Sequence, residues 1–147
     1  MCRPRRSSRR RFLDVSLHGS LGAVLGAGGA WLLPSTGEQP LPVVLGHRSM
    51  FEEPGVYDFP DIGVVVRSTP SGLALISTRC THLGCRVRVV GDELRCPCHA
   101  GRFSLDGEVI AGPPPAHLPW LRGGISARGL VYCFPGQVDA ARRLVSI

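Results

Sequence analysis

CTHLGC at residues 80–85 and CPCH at residues 96–99 are the two stretches of this sequence that decide its fold. Each pairs a cysteine with a histidine, as C-x-H in the first and C-x-x-H in the second. Two thiolates and two imidazoles can ligate a metal centre, and each stretch holds one further cysteine. Between them, residues 86–89 alternate with period two and a turn follows at Gly91-Asp92, so residues 86–95 are predicted to form a hairpin. Because a hairpin brings its ends together, both stretches should present their side chains at one tip.

Two simpler kinds of site explain this pattern less well. A pair of loops joined only by disulfides accounts for the cysteines but not for the matched histidines. A structural zinc site prefers two cysteine pairs of the form C-x2–4-C, or one such pair with H-x3–5-H. The two stretches contain neither C-x-x-C nor H-x3–5-H, the second stretch has only C-x-C, and together they offer six candidate ligands where zinc needs four. Cys133, at the end of an apolar run, is predicted to be a buried free thiol.

From Val43 onward the chain is predicted to form short strands separated by turns. Gly, Pro and Ser bound several apolar runs, namely 43–45, 64–66, 73–76, 108–110 and 130–132. Pro70-Ser71-Gly72 predicts a hairpin turn between the second and third of these runs. No stretch of the body has a sustained 3.6-residue period. The prediction is therefore a single small all-β domain over residues 43–147.

The first 33 residues differ from the rest of the chain. Six of the 17 arginines fall within the first eleven positions, and SRRRFL at residues 8–13 resembles the twin-arginine export signal. Residues 15–33 are mostly apolar and would span about 28 Å as a helix, close to the thickness of a bilayer core. The preceding arginines predict a cytoplasmic N-terminus and an exported body. Residues 1–33 are therefore predicted to be a signal and a single-pass membrane anchor, with removal of the segment as the open alternative.

Residues 34–42, PSTGEQPLP, are predicted to be an extended linker, since three of the nine are proline. From Pro34 onward eleven arginines face ten acidic residues, so the body is almost neutral although the whole chain carries +6. The body lacks the clustered basic face that phosphate backbones require, which argues against nucleic-acid binding.

The two stretches resemble the cluster-binding loops of Rieske proteins, in which two histidines replace two cysteines on one iron of a [2Fe–2S] centre. By position, the resemblance implies that Cys80 and Cys96 ligate the inner iron, and His82 and His99 the outer one. It also implies that these two histidines are the catalytic residues, because a ring nitrogen of one accepts the hydrogen bond of a quinol. His99 is weakly preferred over His82 for that role.

The resemblance further implies a disulfide between Cys85 and Cys98 that ties the two loops together. Quinol-oxidising complexes and arsenite oxidases of the family have this pair, whereas oxygenases and their ferredoxins generally lack it. The sequence GPPP (Gly112, Pro113, Pro114, Pro115) is similar to the proline-rich third loop that packs over the cluster. A disulfide persists outside the cytoplasm, which agrees with the predicted export.

The implied function is that of the iron–sulfur subunit of a bacterial quinol–cytochrome c oxidoreductase, catalytic only within the complex. Its implied partners are quinol, the membrane, and cytochrome b-type and cytochrome c-type subunits. The expected location is the bacterial cytoplasmic membrane, with the cluster domain on the periplasmic or extracytoplasmic side. The small subunit of an arsenite-oxidase-type molybdenum enzyme and a free-standing anchored electron carrier are the alternatives.

Two positions depart from the high-potential members of the family. Those members typically have Ser two residues after the second histidine and Tyr two residues further on, where this chain has Gly101 and Phe103. Neither side chain can donate a hydrogen bond to the cluster sulfurs. Such hydrogen bonds raise the reduction potential. The departure predicts a lower potential, suited to menaquinol or another low-potential donor, and predicts that Gly101→Ser and Phe103→Tyr would each raise it.

Overall fold

The computed structural model describes residues 40–147, which form ten strands and one short 3-10 helix. The predicted signal and anchor, and most of the predicted linker, lie outside the described residues. In chain order the elements are β1 (Val43–His47), the 3-10 helix (Arg48–Phe51), β2 (Gly55–Phe59), β3 (Val64–Thr69), β4 (Gly72–Ser77), β5 (Arg88–Val90), β6 (Glu93–Arg95), β7 (Arg102–Ser104), β8 (Val109–Ala111), β9 (Leu121–Ile125) and β10 (Leu130–Val138). Within residues 40–147, no helix has the length and apolar character needed to cross a membrane.

The strands form three antiparallel sheets, so the predicted all-β class is confirmed. We call them the outer sheet (order β1-β10-β9), the central sheet (β2-β3-β4) and the loop sheet (β5-β6-β7-β8). The central sheet borders two separate hydrophobic cores, one shared with each of the other sheets. It is therefore the element on which the rest of the domain is built.

Strands β3 and β4 explain why two runs of the sequence are continuously apolar. Val65 and Ile76, paired across these strands, pack into the core shared with the loop sheet. Their neighbours Val64, Val66 and Leu75 pack into the core shared with the outer sheet. Successive side chains of a strand point to opposite faces, so a sheet buried on both faces needs apolar residues at every position. The predicted turn between the two strands is confirmed, with Thr69 paired to Gly72.

The loop sheet contains the predicted hairpin. Strand β5 pairs with β6 from Arg88 opposite Arg95 to Val90 opposite Glu93, with Gly91 in the turn. Residues 80–85 lead towards the start of β5, and residues 96–101 connect the end of β6 to β7. Both segments therefore emerge at the same end of the loop sheet, as the hairpin prediction requires.

Three strands, β2, β7 and β9, were not predicted. Strand β9 contains Gly123 and Gly124, a pair that is typical of turns rather than strands. A Cβ atom at Gly123 would collide with the Cδ1 atom of Leu75 and with the carbonyl oxygen of Tyr132. The glycine therefore lets β9 approach both β10 and the central sheet, a tertiary requirement that local sequence does not express.

We expect a buried leucine and an exposed leucine to respond very differently to truncation. Leu75 is 2% exposed in the core, whereas Leu41 is 84% exposed beside β1. Leu75→Ala should lower the free energy of unfolding by about 2–5 kcal/mol through lost burial and a cavity. The matched control Leu41→Ala should change it by no more than about 0.5 kcal/mol. Urea unfolding measures both, and equal losses would contradict the assignment of the core.

Candidate metal centre

Two loops of equal length form the tip of the domain, and both are closed in the same way. We call residues 80–85 loop 1 and residues 96–101 loop 2. In each, the backbone N–H of the first residue donates to the carbonyl of the last residue at 2.8 Å, from Cys80 to Cys85 and from Cys96 to Gly101. This closure bends each loop tightly, so its ligand side chains face one side.

The side chains predicted as ligands meet between the loops. The rings of His82 and His99 lie with their centroids 4.9 Å apart and their planes at 89°. Cys80 and Cys96 are free thiols, and both are buried in the same hydrophobic core. Each loop therefore contributes one buried thiol and one more exposed imidazole to the same site.

Cys85 and Cys98 form a disulfide that joins loop 1 to loop 2, which confirms the predicted pairing. The sulfur atoms of Cys85, Cys96 and Cys98 all lie within 4.8 Å of one another. A disulfide sulfur has no thiolate to offer a metal, so only Cys96 of this group remains available as a ligand. The disulfide thus borders the centre and fixes the spacing of its two loops.

The protonation of the two thiols depends on what else occupies the site. Burial raises the pKa of Cys80, and the adjacent Cys96 thiol raises it further, although backbone N–H groups of His82 and Leu83 donate to it. Two neighbouring buried thiolates repel each other unless positive charge lies beside them. Iron supplies that charge, so the thiol pair suits a metal centre better than it suits an empty pocket.

The donor set fits a cluster with mixed ligands. Within the described residues, the Nδ1 atom of His82 is buried without a hydrogen-bond partner. A buried ring nitrogen without a partner is costly, and ligation of a metal removes that cost. Two thiols and two imidazoles, one of each from each loop, are the ligands that a [2Fe–2S] centre with two histidines on one iron requires.

The family model of the Rieske [2Fe-2S] domain matches residues 43–133. The chain belongs to the Rieske family. Its domain binds a [2Fe–2S] cluster and serves electron transfer. We propose Cys80, His82, Cys96 and His99 as the four ligands, because the structure brings them together and each is free of other covalent partners.

Curated relatives of the domain include iron–sulfur subunits. The cytochrome b6-f complex iron-sulfur subunit of Chlorobaculum tepidum is 40% identical over 65 residues, which cover 43% of this chain and 36% of that subunit. The corresponding subunit of Chlorobaculum thiosulfatiphilum is 33% identical over 78 residues, covering 52% of this chain and 43% of the subunit. The similarity therefore spans less than half the length of these relatives.

Solved structures support the fold of the Rieske domain. The quaternary ammonium Rieske monooxygenase CntA superposes with a TM-score of 0.53 at 19% identity, covering 73% of this chain and 34% of the monooxygenase. Naphthalene 1,2-dioxygenase superposes with a TM-score of 0.52 at 21% identity, covering 65% of this chain and 26% of the dioxygenase. At these identities the similarity concerns the fold alone.

The proline-rich segment of residues 112–115, which we call loop 3, packs directly against loop 2 of the Rieske domain. Gly112 has φ of +95°, and a Cβ there would lie 2.9 Å from the Cα of Gly101. The Thr81 hydroxyl of loop 1 donates to the carbonyl of Ala116 at 2.5 Å, so loop 1 holds the end of this segment. Sequence reasoning missed Thr81, since no local pattern distinguishes it from any other residue between two ligands.

Gly101 and Phe103 have structural roles that the sequence did not reveal. A Cβ at Gly101 would lie 2.7 Å from the Cγ of Pro114 and 3.5 Å from the Cβ of Cys96. The space that a serine side chain needs is therefore filled by the ring of Pro114. Phe103 is fully buried in the core shared with Leu94 and Trp120. Neither position places a hydroxyl near the thiols, as predicted.

We expect two buried cysteines to differ in their effect on cluster content. Cys96→Ala removes a proposed ligand, so the purified Rieske domain should lose its iron and acid-labile sulfide. The control Cys133→Ala should retain both, because Cys133 is a buried thiol of the other core, where burial raises its pKa to about 11. Iron and sulfide analysis with EPR of the reduced protein measures the difference. Full iron content in Cys96→Ala would refute the ligand assignment.

Proposed function

We propose that this chain is the Rieske iron–sulfur subunit of a bacterial quinol–cytochrome c oxidoreductase. The observation that carries the proposal is the disulfide between Cys85 and Cys98, which links the two ligand loops. Oxygenases and their ferredoxins generally lack this pair, whereas quinol-oxidising complexes and arsenite oxidases have it. The two Chlorobaculum relatives are iron-sulfur subunits of cytochrome b6-f complexes, which favours a subunit of a membrane complex.

The exposed tip of the domain suits the docking of a quinol. His99 is exposed and His82 is half-buried, so His99 is the better placed of the two to receive a hydroxyl from outside. With Nδ1 of His82 facing inward, its Nε2 is the atom left for an outward hydrogen bond. Leu83, exposed beside it, offers an apolar surface to a ring. When bound, the cluster supplies one-electron oxidation and reduction.

We further propose that the donor is a low-potential quinol such as menaquinol. Cys96 lies beside Gly101 rather than beside a hydroxyl, and Phe103 offers none to the sulfur atoms. Fewer hydrogen bonds to the sulfurs leave the reduced, more negative state less stabilised. The potential should therefore fall in the lower half of the range of about −150 to +300 mV that such centres span.

The proposed location is the bacterial cytoplasmic membrane, with the cluster domain on its outer side and one N-terminal helix as the anchor. SRRRFL at residues 8–13, followed by the apolar run at residues 15–33, supports this arrangement. The disulfide supports it independently, since the cytoplasm keeps most such bonds reduced. The acceptor in this arrangement is a c-type haem.

A quinol-site inhibitor should distinguish the proposed complex from its alternatives. We expect low-temperature EPR of reduced membranes to give a Rieske signal whose g-values shift when the inhibitor is added, because the inhibitor displaces quinol from the exposed imidazole. A signal that does not change would contradict quinol oxidation at this site. It would favour a relay subunit of a molybdenum enzyme or a free-standing carrier.

The low potential has its own test. Phe103→Tyr adds one hydroxyl in the core beside loop 2 and should raise the midpoint potential in a redox titration. Phe134→Tyr, on β10 of the outer sheet, is the matched control and should leave it unchanged. Gly101→Ser is the weaker test, because its side chain would displace Pro114 and alter loop 3 at the same time. A native potential near the top of the family range would refute the proposal.

A further inference from the structure

A cavity of about 800 Å³ lies beside loop 1. Its walls come from loop 1, from the ends of β3 and β4, and from the segments around Pro119 and Pro135. Cys80, His82 and Leu83 line it on the side of loop 1, so it adjoins the face proposed for quinol, whereas neither His99 nor any residue of loop 3 lines it. We call it the loop 1 cavity.

The loop 1 cavity has positive charge and no acidic residue in its walls. Arg79 and Arg86 both line it, one immediately before loop 1 and one immediately after. Neither arginine forms an ion pair within residues 40–147. Asp58 is near enough to Arg86 for an electrostatic interaction, and Arg86 lines both the loop 1 cavity and the neighbouring groove that contains Asp58.

Both arginines are exposed, and the side chain of each passes over a glycine. They stand directly opposite each other as an antiparallel pair, an arrangement in which like charges are destabilising. The absence of a side chain at Gly84 leaves room for Arg79, whose Nε lies 3.1 Å from the position that a Cβ would occupy. Gly63 makes the same room for the guanidinium of Arg86, at 3.3 Å. An anion between these groups would relieve their repulsion.

Thr78 supplies a second, independent indication of a ligand. It lines the same cavity, is 1% exposed, and its hydroxyl has no hydrogen-bond partner among the described residues. Its backbone groups are already satisfied, by the carbonyl of Gly63 and by the N–H of Val87. A buried hydroxyl without a partner is unfavourable, so a ligand oxygen within reach would stabilise the protein.

We propose that the loop 1 cavity binds the phosphate group of an organic phosphate. Guanidinium groups recognise oxyanions through paired N–H donors, and a tetrahedral phosphate has enough oxygens for two arginines and a hydroxyl at once. The remaining walls are largely apolar, with Leu83, Leu121 and Val138 among them. A volume of this size accommodates a larger molecule attached to the phosphate. A phospholipid headgroup and a soluble phosphate ester both have this chemistry.

The first test is thermal unfolding of the full chain, purified with its cluster in a neutral detergent. Inorganic phosphate should raise Tm in a saturable way, beyond any effect of chloride at the same ionic strength and pH. Arg79→Gln and Arg86→Gln should each weaken phosphate binding by about tenfold. Arg128→Gln removes the same charge from the turn between β9 and β10, outside the cavity, and should bind like the native protein.

A second pair of variants separates ligand binding from general structural effects. Thr78→Val, which removes the unpartnered hydroxyl, should raise Tm without phosphate and reduce the shift that phosphate produces. The control Thr69→Val breaks a hydrogen bond to the carbonyl of Gly72, so it should lower Tm and leave the phosphate shift unchanged. Without phosphate, the two variants should change Tm in opposite directions. This difference distinguishes a hydroxyl that binds a ligand from one that stabilises the fold.

The source of the phosphate follows from a comparison of two probes. Tighter binding of monomeric dihexanoyl phosphatidylglycerol than of inorganic phosphate supports the proposal with a lipid as the source. Equal or weaker binding of the lipid supports it with a soluble phosphate. For either result to support the proposal, Arg79→Gln must also lose binding of the probe. If neither probe binds, or if Arg79→Gln and Arg86→Gln bind both as the native protein does, the proposal is wrong.

Discussion

The covalent bond between Cys85 and Cys98 is the constraint on which the site depends. Loops 1 and 2 are each closed only by short local hydrogen bonds, and their tips are exposed. The disulfide joins residues 13 apart in sequence and so removes conformations in which the loops separate. For loops of this size the stabilisation is typically about 2–4 kcal/mol. The imidazole rings of His82 and His99 lie 4.9 Å apart across the two loops that the disulfide joins.

The central sheet gives this constraint a rigid foundation. Because β3 and β4 are buried on both faces, the two cores of the domain share one layer, and a change on either side is felt by that layer. Loop 1 follows directly from β4, and Thr78 at their junction bonds through its backbone to Gly63 and Val87. The position of Cys80 is thereby coupled to the best-packed part of the fold. Loop 2 is instead attached to the loop sheet. The disulfide therefore links loop 1, which the central sheet supports, to loop 2, which the loop sheet supports.

The sequence alone predicted the features that are local in the chain. The apolar runs in β1, β3 and β4 and the hairpin before loop 2 are expressed by neighbouring residues, and the family resemblance supplied the disulfide. Strand β9 was not predicted because Gly123 is required by a distant contact. It allows the close approach of Leu75, which is 48 positions away in the sequence. The loop 1 cavity was not predicted for the same reason, since it is assembled from four separate segments. The pairing of Arg79 with Arg86 is likewise a tertiary feature, because it brings together the two ends of loop 1.

The contact between Gly101 and Pro114 explains both the close approach of loop 3 and the proposed low reduction potential. With no side chain at Gly101, loop 3 approaches loop 2 closely, and its proline takes the space of a hydroxyl donor. Two neutral imidazoles and two thiolates leave a cluster with no net charge when oxidised and one negative charge when reduced. The missing hydrogen bond and the apolar ring in its place both disfavour that charge. On the proposed ligand set, this one packing contact would lower the potential in two ways, and a serine at this position would reverse both only by moving loop 3 away.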